Sequence, residues 1–112
     1  MKPLIYIASP YSHPTNRHNN FLEVSKLAAK LCSEGKIAFS PITYGHTLLD
    51  FHEMPSDWHF WRDFCLTFLK NADELIVYKM SGWNESRGVL EEIDFALLHN
   101  IKISYIELNE ML

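Results

Sequence analysis

Residues 74–79 read ELIVYK, and the reading of this run decides the fold. Leu75, Ile76, Val77 and Tyr78 are consecutive, apolar and rich in β-branched and aromatic side chains. A strand with one wet face would alternate, so this run predicts a strand buried on both faces, as in a parallel sheet covered by helices. Residues 3–8 (PLIYIA), 36–40 (KIAFS) and 102–106 (KISYI) have the same character and give three further short strands.

The segments between them carry helical spacing. Phe21, Val24, Leu27, Ala28 and Leu31 recur along residues 17–33, and Gly35 stands where a helix ends. Ser56 or Asp57 caps a second helix reaching Asn71, with Phe60, Phe64, Phe68 and Leu69 turned inward. A turn over residues 81–85 leads into a third helix ending near His99. Residues 41–56 show little periodicity and read as a loop after Pro41. The order β-α-β-(loop)-α-β-α-β predicts one α/β domain over residues 1–112, with a short parallel sheet and helices on both faces. Ligands bind such sheets beyond the carboxyl ends of the strands, where strand order reverses. That directs attention to residues 8–13, 41–46 and 80–88.

Composition removes several classes. A formal charge of −4 argues against a surface for nucleic acid polymers. No apolar run approaches the roughly 20 residues of a membrane span, and the opening MKPLIYIASPYSHP lacks the length of a signal peptide. Cys32 and Cys65 lie in helical segments without a CxxC, which reads as two buried, reduced thiols in a cytoplasmic protein. The six histidines (13, 18, 46, 52, 59 and 99) match no zinc spacing, so no metal is expected. No G-x-S-x-G elbow supports a serine hydrolase.

The helix after residue 85 carries the chemistry-bearing pattern, SRGVLEEIDFA. With its buried face centred on Val89, Ile93, Ala96 and Leu97, and about 100° per residue, Glu91 points away and Glu92 lies at the margin. Glu91 has Arg87 one turn before it, the spacing of an ordinary exposed ion pair. Glu92 has Gly88 and Ala96 as its i−4 and i+4 neighbours, which predicts open space above the carboxylate. Ser86, Arg87 and Gly88 open the helix, where free N–H groups and a hydroxyl favour an anion or simply form a cap. Trp58 and Trp61 pack in the core or wall a pocket.

Taken together, LIYIASPYS, NADELIVYK and SRGVLEEIDFA resemble the nucleoside 2-deoxyribosyltransferase superfamily, which includes deoxynucleoside 5′-monophosphate N-glycosidases. With FSPITYGH and DWHFW they look like a small bacterial and phage branch of it. The resemblance implies a flavodoxin-like or Rossmann-like three-layer sandwich with about four or five strands. It implies a hydrolase or transferase acting on the N-glycosidic bond of a nucleotide or nucleoside, with Glu92 as nucleophile and Tyr6 as its orienter. Ser9 and Ser86, with the Gly88 amide, would hold a 5′-phosphate, Tyr11 would also bind the substrate, and Asp57, Trp58 and Trp61 would form a lid over the base. No cofactor is implied. Asp94 stands where the family carries glycine, and Ser-Pro-Tyr-Ser-His-Pro replaces its glycine-rich first loop. Family members complete the site with a C-terminal segment, often a neighbouring subunit's, and this chain ends soon after the last strand. The resemblance therefore implies that a homodimer or homotetramer neighbour supplies part of the pocket or that the site is more open. A noncatalytic nucleotide-binding module on the same fold is the alternative, and an interaction subunit with a vestigial pocket a third.

Overall fold

The computed structural model describes residues 2–11 and 17–107. Strand β1 (Leu4–Ala8) leads to helix α1 (Arg17–Ser33), β2 (Ile37–Phe39) and α2 (Pro41–Leu49). Helix α3 (Trp58–Lys70), β3 (Glu74–Lys79), a 3-10 turn at Trp83–Glu85, α4 (Arg87–Leu98) and β4 (Lys102–Glu107) follow. The four strands form one parallel sheet in the order β2-β1-β3-β4.

The central strands are buried on both faces because a helical layer covers each one. Ile5, Ile7, Ile76 and Tyr78 point to one side and pack against Val24, Leu27 and Leu31 of α1. Tyr6, Ala8, Leu75 and Val77 point to the other and meet Cys65, Leu66 and Leu69 of α3 and Val89 and Ala96 of α4. The parallel register sets Tyr6 beside Leu75 and Ala8 beside Val77, so each face carries its own continuous core. Gly35 closes α1 with φ +85°, a left-handed geometry that glycine adopts without a Cβ penalty. Asp73 fastens the start of the sheet: its Oδ2 accepts from Leu4 N at 2.8 Å and its N–H donates to Leu4 O at 2.9 Å. No helix of the described residues is long and apolar enough to cross a membrane.

Four expectations are corrected. Residues 41–49 are a helix rather than a loop: Ser40 Oγ accepts from Thr43 N at 3.1 Å, and Pro41 takes the first-turn position where its missing N–H costs nothing. Proline ended β2 and began a helix at once. On α3 the buried side chains are Cys65, Leu66 and Leu69, whereas Phe60 is 50% exposed and Phe68 41%. Phe68 instead stacks on Phe39 of edge strand β2 at 4.5 Å between centroids. Cys32 is exposed and only Cys65 is buried. On α4 the buried residues are Val89, Glu92 and Ala96, and Leu97 is 63% exposed. The helix is rotated from the expected phase, which moves Glu92 from the margin onto the buried face.

Candidate functional site

Strand β1 lies between β2 and β3, and the chain leaves it on one side to build β2 and crosses to the other to build β3. This is the reversal point at which parallel sheets open a crevice. Tyr6 and Glu92 meet beneath it. The Tyr6 hydroxyl donates a hydrogen bond to Glu92 Oε2 across a sequence separation of 86, and the two side chains are 1% and 4% exposed. Burial pushes the Glu92 carboxyl up to about 8; the Tyr6 hydrogen bond opposes the rise and the Glu91 charge adds to it. Tyr6 is raised well above the usual phenol range by burial first and by the Glu92 charge second. Beside them the Cys65 thiol is pushed up to about 12, mainly by burial, so it stays protonated.

Glu92 and Cys65 form part of the lining of a cleft above this pair. One wall is α4, with Ser86 and Gly88; another is α3, with Trp58 and Trp61; Ser9 and Tyr11 enter from the end of β1. All the expected site residues except Tyr6 line the cleft, and Tyr6 supports Glu92 from behind. The space expected above Glu92 is filled on the Gly88 side. A Cβ on Gly88 would meet Trp58 Cε3 at 3.0 Å, so the glycine makes room for an indole rather than for a ligand. Glu91 is likewise not paired with Arg87. It accepts from Trp58 Nε1 at 2.9 Å and from Arg62 Nε at 2.7 and 2.8 Å, holding the indole in place from α4. Trp61 lies against Gly45 and donates to Pro55 O at 2.9 Å. With both indole N–H groups engaged inside the protein, the tryptophans offer the cleft rings rather than donors.

Ser86 is both cap and lining. Its Oγ accepts from Val89 N at 3.3 Å, which leaves the hydroxyl hydrogen free to donate at the start of α4. Ser9 Oγ and Arg17 Nε are the buried polar side-chain atoms without partners among the described residues. Ser9 is 6% exposed and lines the cleft; the Arg17 guanidinium lies 5.8 Å from the Tyr11 ring centroid. A buried hydroxyl with no partner is costly unless a ligand or water meets it.

Apart from Ser56 and Cys65, the lining residues absent from the sequence-based set sit on α2. Ile42, Gly45, His46 and Leu49 all line the cleft at i, i+3, i+4 and i+7, a helical face that the sequence marks poorly because glycine and histidine hold two of its four positions. His46 bonds the Tyr11 hydroxyl through Nδ1 at 2.6 Å and stacks on Phe21 at 4.1 Å. Burial holds its pKa below the usual imidazole range, with His18 and Arg17 acting in the same direction and Asp50 against them. His13 lies outside the described residues. Among those described, no group of three or more His, Cys, Asp or Glu side chains is arranged to hold a metal ion.

The family model described as a domain of unknown function (DUF1937) matches residues 3–108. The chain belongs to this family. The DUF1937 match runs from the start of β1 past the end of β4 and takes in every cleft residue named above. No curated protein matches the sequence.

Proposed function

We propose that the cleft cleaves or exchanges the N-glycosidic bond of a nucleoside 5′-monophosphate, with Glu92 as the nucleophile. The observation that carries this reading is the Tyr6–Glu92 pair, a carboxylate oriented by a phenol at the floor of a cleft. Ionised Glu92 attacks the sugar C1′ and the base leaves. Water or a second base then resolves the glycosyl ester, as in retaining carboxylate glycosidases. Ser9 and Ser86 donate to the 5′-phosphate together with the free N–H groups that open α4, and Arg17 supplies positive charge nearby. The Trp58 and Trp61 rings flank a planar base. A homodimer or homotetramer belongs to the same proposal, and sedimentation of the purified chain measures it.

One observation favours a noncatalytic binding module instead: burial pushes the Glu92 carboxyl up to about 8, which favours its protonated, non-nucleophilic form at neutral pH. The deciding experiment incubates the protein with a panel of nucleosides and their 5′-monophosphates and follows free base by chromatography. Base release by wild type and its loss in Glu92→Ala is the expected result. Release that persists in Glu92→Ala removes Glu92 as nucleophile. A rise in melting temperature with no release identifies the binding module.

A further inference from the structure

A nucleobase leaving a sugar carries away the bonding electron pair, so its departure is slow unless an acid protonates it. The cleft offers few groups for this. Glu92 is the nucleophile in the reading above, on which this inference rests. Cys65 is buried beside Glu92 and holds its proton too tightly to give it up. The Asp57 carboxylate accepts from Phe60 N at 3.3 Å as the cap of α3. The Tyr11 hydroxyl is engaged with His46, and burial raises its pKa.

His46 remains, and its setting is that of a positioned proton carrier. It projects from α2 into the cleft that Glu92 lines from α4. The ring is clamped by the Phe21 stack at 4.1 Å and by the Tyr11 hydroxyl on Nδ1 at 2.6 Å. Nε2 has no hydrogen-bond partner among the described residues, so it is the nitrogen left to meet a ligand. We infer that His46 protonates the departing base and then deprotonates the water that frees the sugar, with Tyr11 as its positioning residue.

The steps balance. A Glu92 oxygen bonds to C1′ as the C1′–N bond breaks; its electron pair stays with the base, which takes the Nε2 proton of imidazolium His46. Neutral His46 then takes a proton from water as the water oxygen bonds to C1′. The ester bond breaks, and Glu92 carboxylate and His46 imidazolium are restored. The groups around the ring set the pH range: Tyr11 from the β1 end, Arg17 and His18 from α1 and Asp50 at the end of α2. With His46 held low and Glu92 pushed up to about 8, the reactive form carries one proton between them. The kcat/KM profile is then bell-shaped, and its alkaline limb lies near 8.

The test follows the first turnover, before water resolves the Glu92 ester, and compares two leaving groups on the same sugar 5′-phosphate: the nucleobase that wild type releases, and a pyridinium, which departs neutral without a proton. His46→Gln is expected to slow nucleobase release by about 10²–10⁴-fold, to spare pyridinium release, and to remove the alkaline fall from the nucleobase profile. Tyr11→Phe is expected to give a smaller loss with the same leaving-group dependence, and it carries the test if His46→Gln fails to fold. Equal losses on both leaving groups, no loss on the nucleobase, or an unchanged alkaline limb overturns the role of His46 and leaves Glu92 as nucleophile. If wild type releases neither group, the glycosidase reading falls, and this inference with it.

Discussion

Glu91 and Glu92 are adjacent in the chain and opposite in environment. Glu91 holds Arg62 and the Trp58 indole at the edge of α4, while Glu92 is buried against Tyr6. The burial has a thermodynamic consequence. Between the ordinary carboxyl value of 4.5 and about 8, the folded protein binds a proton at Glu92 that the unfolded chain has released. Stability from this group is complete below 4.5 and is lost as pH rises through about 8. Glu92→Gln removes that dependence. Thermal melts should therefore show the variant gaining on wild type from pH 5 to pH 9, and parallel curves across that range would show that the carboxyl is not raised. Such a gain would match an ionisable group kept for function at a cost in stability.

At the scale of the elements, each wall of the cleft depends on one local contact. The cap on α2 is the buried Ser40 hydroxyl, so Ser40→Ala should destabilise the protein by about 0.5–2 kcal/mol, read by urea unfolding. Because α2 carries His46, the same change should weaken ligand-induced stabilisation. The α4 wall depends on Gly88. In Gly88→Ala the new methyl would meet the Trp58 ring at 3.0 Å, and the indole must shift against its bond to Glu91. We expect a loss of about 1–3 kcal/mol and a change in tryptophan emission; an unchanged spectrum with wild-type stability would show that Trp58 does not rest on Gly88. Sequence made α4 visible through Ser86, Gly88 and its apolar spacing, but not its rotation, because Leu97 and Val89 are equally apolar and only packing decides which is buried. Helix α2 was hidden for a different reason. Its buried positions are Pro41 and Gly45, which carry no large apolar side chain to mark a period.

For the whole molecule, one thin sheet joins two cores, so losing the helices of one face leaves the strands that support the other core exposed on that side. Leu27 packs on the α1 side and Leu69 on the α3 side, and both are almost fully buried. Leu27→Ala and Leu69→Ala should each cost about 2–5 kcal/mol and combine additively in a single unfolding transition. Two separate transitions would mean that the faces unfold independently. The strands, their parallel arrangement and helices α1, α3 and α4 were determined by the sequence itself, because continuous apolar runs, helical spacing and glycine stops act over a few residues. That Glu92 lies nearer the buried face than Glu91 was also local, since adjacent residues differ by about 100° around the helix and this order holds in both the expected and the observed rotation. The resemblance alone brought Tyr6 to it. What only the tertiary structure decided is how distant segments meet: the Tyr6 bond to Glu92, Trp58 seated on Gly88, and His46 held by Tyr11 on the opposite wall. Those meetings depend on strand register and helix rotation, which are fixed by the packing of the whole sheet and have no signature in any one stretch of chain.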